Sequence, residues 1–165
     1  MPHEVRIVGI DPGLAAVGWG YLCAERQEIM TVEFGCVRTE STTPLPERLH
    51  TIHQQLRALA EKYKPDALAI EQLIFSSNQL TAISVAQARG VAILAFAEMG
   101  VKVFEYSPPQ IKQSVTGYGR ATKEQVQKML LHWLKIDTPP RSSHAADAVA
   151  AALCHLFHGR ASTTS

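Results

Sequence analysis

The sequence predicts one α/β domain, a mixed five-stranded sheet with helices on both faces. Three strand-like segments open the chain, helical stripes and short apolar strands then alternate, and three helical segments close it. At 165 residues and 46% hydrophobic composition, one sizeable core is within reach, whereas two domains of this total length would each be marginal. The expected domain spans 1–160, with the terminal ASTTS (161–165) as a frayed tail.

Each element has a local reason. VRIVGI is a β-branched run, AVGWGYLC mixes aromatic and apolar residues with glycine, and IMTVEFGCV largely alternates. Short turns, including Asp-Pro-Gly, separate them, which suggests an antiparallel meander. After Ser41, Thr42, Thr43 and Pro44, the residues Leu45, Leu49, Ile52, Leu56 and Leu59 recur at helical spacing, and Pro65 stops that helix near Lys64. ALAI (67–70) is a short buried strand. The long alanine-rich stretch from Leu80 to Met99 suits a helix by its length, with Gly100 beyond its end, and VKVFEY returns to strand. Pro108 and Pro109 open a short helix around Ile111 to Val115, and TGYGR is a turn. Thr122 and Gln125 form a capping box for a helix to Leu134. Ser142 or Ser143 caps the last helix, His144 to His158.

Composition excludes several classes. Cys23, Cys36 and Cys154 are odd in number and scattered, so they read as small core residues rather than disulfides or a thiolate zinc site. No run approaches the roughly 20 apolar residues of a membrane span. The N-terminal sequence also lacks the pattern of a secretory signal, so a cytoplasmic protein with no membrane partner is expected. The overall charge is only +1, but it is uneven. Residues 25–71 hold six Lys/Arg against eight Asp/Glu, whereas 102–141 hold seven against three, a local excess of +4 that suits a polyanion.

The acids carry the chemistry. Asp11 ends the first strand before Pro12 and Gly13 turn the chain away, and Glu71 ends ALAI in the same manner. Singly, each is an ordinary cap or turn residue; repeated at two strand ends, they form a pattern, because carboxylates beside buried strands are costly unless met by cations, protons or solvent. In SSHAADAVAAAL, His144 and Asp147 are three apart and share one face of the helix near its N-terminus. Together these offer hard oxygen ligands and one imidazole, a set suited to magnesium or manganese. One or two such ions would activate water against a phosphodiester. Gly18 and Gly20, alternating with Val17, Trp19 and Tyr21, fit either dense packing or close approach of a nucleic-acid backbone.

In GIDPGLAAVGWG, AIEQLIF with the downstream QARGVA, YSPPQIKQSVTGYGRATKEQV and SHAADAVAAAL, the chain resembles the RuvC family of bacterial Holliday-junction resolvases. These are crossover junction endodeoxyribonucleases of the ribonuclease-H-like superfamily. The pieces run in family order along nearly the whole chain. The resemblance implies a ribonuclease-H-like fold, with Asp11, Glu71 and Asp147 as catalytic metal ligands and His144 in the fourth catalytic position. Many family members carry aspartate where His144 stands. An imidazole there brings one negative charge fewer, and serves as a metal ligand or a proton-transfer group.

The resemblance further implies that Lys112 and Lys123 contact DNA near the cleavage site, with Arg120 on the adjoining glycine-flanked turn meeting the phosphate backbone. Family members commonly place phenylalanine three residues after the glutamate, where this chain has Ile74 and then Phe75. Either Ile74 is the apolar wedge against bases, or a local shift gives Phe75 that role; Asn78 matches a polar DNA-facing position. The implied function is paired nicking of four-way junction DNA by a homodimer, leaving 5′-phosphate and 3′-hydroxyl ends, in recombination and repair alongside a RuvA–RuvB branch-migration complex. The helix from Leu80 to Met99 is expected to form part of the dimer contact or to pack on the sheet within the chain, and opposite faces can do both. Two rivals remain: a related nuclease acting on RNA–DNA hybrids or forks, and a junction-binding protein without chemistry.

Overall fold

The computed structural model describes residues 3–74 and 79–158. The elements run β1 (Glu4–Asp11), β2 (Ala16–Glu25), β3 (Glu28–Arg38), α1 (Leu45–Tyr63), β4 (Ala67–Glu71), α2 (Gln79–Ala97), β5 (Lys102–Tyr106), α3 (Pro108–Thr116), α4 (Lys123–Leu134) and α5 (Ser143–His158). The tail expected at 161–165, and Phe75 and Asn78, lie outside the described residues.

The five strands form one sheet in the order β3-β2-β1-β4-β5. β1, β2 and β3 pair antiparallel as a meander, while β4 lies parallel to β1 and β5 parallel to β4. The sheet is therefore mixed, as the order of segments predicts. Because side chains alternate along a strand, β1 feeds both faces. Ile7 belongs to the core under α3, α4 and α5, whereas Val8 and Ile10 belong to the core under α1 and α2. The same alternation places Gly9 and Asp11 on the α5 face with Ile7, and Glu71 there with Ala69. Register then brings the two acids together: Ile10 pairs with Ile70, so the next residues on these neighbouring strands are Asp11 and Glu71. Adjacent strands lie about 4.8 Å apart.

The glycines on this face admit the last helix. A Cβ at Gly9 would collide with the carbonyl oxygen of Ala148, one at Gly18 with that of His144, and one at Gly20 with Val149. Of the two readings open for Gly18 and Gly20, dense packing is the one that holds: α5 rests against strand backbone, its own alanines facing the glycines.

Helix ends follow the expected signals. Thr122 and Gln125 cap each other reciprocally, and the Ser142 hydroxyl accepts the Ala145 N–H at 3.4 Å; α3 adds a capping box between Ser107 and Gln110 that was not expected, ahead of the expected prolines. Gly100 and Gly117 adopt the left-handed conformation beyond α2 and α3. The three cysteines are free, with Cys23 and Cys154 buried. One expectation needs correction. α2, 19 residues long, has a mean hydropathy of 1.6 over an 18-residue window, so by length and composition it is long and apolar enough to cross a membrane. The segment was read as a helix but not as long and apolar enough for a span, because Thr81, Ser84, Gln87 and Arg89 interrupt its apolar run. Here the helix packs against α1 and β5. Arg89, near its middle, is buried and ion-paired to Glu105.

Candidate active site

Three elements deliver four polar groups to one rim of the sheet. β1 ends on Asp11, β4 ends on Glu71, and the first two turns of α5 supply His144 and Asp147. His144 Nδ1 and Asp11 Oδ2 lie 2.8 Å apart, a hydrogen bond between residues 133 positions distant in sequence. That contact exists because Gly18 lets the α5 backbone at His144 settle onto β2. Asp147 sits one turn beyond His144 on the same helix face.

Two hollows flank Glu71. The first, of about 270 Å³, is lined by Glu71, Asp147, Lys112, Lys123 and Gln127 above an apolar floor that includes Ile111 and Leu130. The second, of about 230 Å³, is lined by Asp11, Glu71, Ile74, Thr81 and Arg89. Glu71 and Pro108 belong to both. Lys123 Nζ stands 3.9 Å from Asp147 Oδ2. Lys112 is half-buried on α3, which the Ser107 capping box and Pro108 at its first turn hold against the site. Ile74 is 61% exposed at the mouth of the second hollow. Arg120 lies exposed on the turn between α3 and α4 and lines neither hollow.

All three carboxyls hold their protons more tightly than usual. Burial raises Asp11 most; the His144 hydrogen bond opposes it, and repulsion from Asp147 adds to it. Burial also leads for Glu71, reinforced by Asp11 and then Asp147, with Lys112 opposing. For Asp147, burial outweighs the opposing pull of Lys123 and His144. Desolvated acids that repel one another favour protons or cations among them. Asp11 is directed at His144 and Asp147 faces Lys123, so the side chains do not aim at one common point. Among the described residues, no group of three or more His, Cys, Asp or Glu side chains is spaced to hold a metal ion as they stand.

The family model for crossover junction endodeoxyribonuclease RuvC matches residues 7–155. The chain belongs to the RuvC family. The match takes in every element from β1 through most of α5, and with it the rim and both hollows. A RuvC-family protein from Finegoldia magna, a crossover junction endodeoxyribonuclease RuvC, is 46% identical over 153 residues, covering 93% of each chain. Thermus thermophilus RuvC, solved in complex with Holliday junction substrate, superposes with a TM-score of 0.91 at 34% identity, covering 96% of this chain and 97% of that one. The yeast mitochondrial Holliday junction resolvase Ydc2 shares the fold at a TM-score of 0.64 and 16% identity. The α/β, ribonuclease-H-like architecture of the RuvC family is thus the architecture of this chain.

The structure brings Asp11, Glu71, His144, Asp147, Lys112, Lys123 and Ile74 to the same rim and leaves Arg120 on its outskirts. Sequence reasoning passed over Arg89. Its Nη1 donates to the Glu71 carbonyl at 3.3 Å, and the residue lines the second hollow. An arginine within an alanine-rich apolar helix was the available signal, since a buried guanidinium requires partners.

Proposed function

We propose that residues 1–160 act as one endonuclease domain that binds four-way DNA junctions and resolves them by paired metal-dependent nicks, leaving 5′-phosphate and 3′-hydroxyl ends. The observation that carries this reading is the convergence of the Asp11–His144 pair, Glu71 and Asp147 on one rim, with Lys112 and Lys123 beside them, in a chain of the RuvC family.

The chemistry of the donor set fits a hard divalent cation. Asp11, Glu71 and Asp147 offer carboxylate oxygens whose repulsion a cation would relieve, and His144 offers a nitrogen that manganese accepts readily. One or two magnesium or manganese ions held there would supply a water of lowered pKa and neutralise the scissile phosphate. His144 has its own part. With Nδ1–H donating to the Asp11 carboxylate, the Nε2 lone pair is left free to ligate or to take a proton. Lys112 and Lys123 place positive charge along the first hollow, where a phosphate backbone would lie, and Arg120 extends that track. Ile74 serves as the apolar wedge toward bases at the second hollow, with Phe75 and Asn78 following it in the chain.

Two opposed strands need two sites, and a twofold-symmetric dimer supplies them. On α2 the exposed Leu80, Ile83 and Leu94 form the face for the second copy. A cytoplasmic setting and cooperation with a RuvA–RuvB complex complete the proposal.

The test is cleavage of an immobile four-way junction beside linear duplex and an RNA–DNA hybrid, with magnesium and manganese titrated and products mapped to the nucleotide. Symmetric nicks in the junction, lost in Asp11→Asn, are expected. Preference for the hybrid would point to another nuclease of this fold, and tight junction binding without nicking would leave a binding protein.

A further inference from the structure

Arg89 has a guanidinium that cannot shed its charge, and with 9% of the residue exposed it is buried. Burying such a group is costly unless its donors are satisfied, so its partners reveal what the position is for. Nη1 donates to the main-chain carbonyl of Glu71, and Nη2 donates to the Glu105 carboxylate on β5. The Glu71 carbonyl belongs to the peptide unit joining Glu71 to Gln72. The other end of that unit is also held, because the Gln72 N–H donates to the Tyr106 carbonyl at 2.8 Å. One rigid plane is thus fixed at both ends where β4 leaves the sheet.

The Glu71 side chain faces α5, while Arg89 approaches from the α2 face. The groups that shift the Glu71 carboxyl are burial, Asp11, Asp147 and Lys112. Arg89 acts on the backbone of Glu71, and Glu105 absorbs its charge. Without Glu105, an uncompensated cation would stand behind the carboxylates.

We propose that Arg89 is the positioning residue of the site: by clamping the Glu71 carbonyl against Glu105, it sets the direction in which the Glu71 carboxylate leaves β4 and hence the affinity of the rim for a divalent cation. The proposal rests on Glu71 as a ligand. It also ties the helix that carries the face for a second copy to the strand end that carries the chemistry, through the hydrogen bond from Arg89 to the Glu71 carbonyl.

The full-length chain is compared with Arg89→Lys, with the double variant Arg89→Met/Glu105→Gln, and with Glu71→Gln. Removing both partners leaves no lone buried charge, so the double variant is the one expected to keep the fold. Three quantities are read: manganese binding to the protein alone, the manganese dependence of junction nicking, and junction affinity in the presence of a chelator. Loss of an outer-shell partner typically weakens metal affinity by about 10–100-fold, so a rise of about tenfold or more in the manganese dissociation constant is expected for the double variant. Half-saturation for nicking should rise in parallel, with junction affinity within about twofold of the parent. Arg89→Lys, which keeps charge but loses the planar fork, should fall between them. Should a folded double variant and Arg89→Lys both bind and use manganese as the parent does, Arg89 is a packing ion pair and the proposal is overturned. A merely structural role would lower the unfolding temperature without moving manganese affinity. Glu71→Gln separates the two ideas: if it too binds manganese like the parent, the ligand assignment of Glu71 has failed, whatever the Arg89 variants show.

Discussion

His144 is held by Asp11 through one ring nitrogen and is 45% exposed in its side chain, so the other nitrogen is open to a reacting group. His144→Ala is expected to lower the turnover of junction nicking by about 10²-fold or more, the range of lost proton transfer, while junction affinity barely changes. Equal rates at saturating enzyme would remove the imidazole from the chemistry. Glu71 makes a second prediction, through stability. Its folded carboxyl is raised mainly by burial, then by Asp11 and Asp147, so the folded chain binds a proton that the unfolded chain has released. Stability from this group is present below the ordinary glutamate range and is lost as pH rises through the raised folded value. In metal-free buffer Glu71→Gln should therefore melt higher than the parent at neutral pH. That advantage should shrink as pH falls through the carboxylate range. A constant difference at every pH would show that charge is not its source. Asp11 and Glu71 were legible in the sequence because each is an acid at the end of an apolar strand. Arg89 offered a signal as an arginine in an apolar helix, but its partner was not legible, because a hydrogen bond to a main-chain carbonyl leaves no mark in residue spacing.

At the scale of elements, the site depends on how closely α5 approaches β1 and β2. Gly18→Ala would drive a methyl into the His144 carbonyl, and overpacking of this kind typically costs about 1–3 kcal/mol. For a chain of this size, that corresponds to a melting temperature lower by roughly 2–12 °C. Nicking should fall further than the stability loss explains, since the same displacement parts His144 from Asp11. Full activity in a stable Gly18→Ala protein would show that the approach is not required. Strand alternation and capping residues made nearly every element readable, including the paired box at Thr122–Gln125; the matching box at Ser107–Gln110 went unread behind Pro108 and Pro109. The purpose of Gly18 and Gly20 was undecided until α5 was seen against them, because a glycine states what is absent rather than what fills the space. The length and alanine-rich character of α2 were legible, but its membrane-like average hydropathy was not, because scattered polar residues break the apolar run.

For the whole molecule, two cores on opposite faces of one sheet give each face a separate task. The α5 face, with α3 and α4, builds the acidic rim and its lysines; the other seats α1 and α2, whose outward Leu80, Ile83 and Leu94 remain exposed. Ile83 is 56% exposed, so Ile83→Glu should leave the folded core intact. Sedimentation of this variant is expected to show monomers where the parent shows dimers, and junction products should change from paired to single nicks. A variant that remains dimeric would place the interface elsewhere. The fold class followed from the sequence because hydrophobic periodicity dictates layers. The partner of an exposed helix does not follow from it, since the same apolar stripe serves an interior or a second chain.

The glycine seam beneath α5 has no smaller residue to retreat to. Every substitution at Gly9, Gly18 or Gly20 is an enlargement, so variation along that line can proceed in one direction only, and that direction lifts the helix. At Gly90 on α2, by contrast, a side chain would meet no neighbour within this chain. The seam is a fixed datum against which the rest of the nuclease can vary.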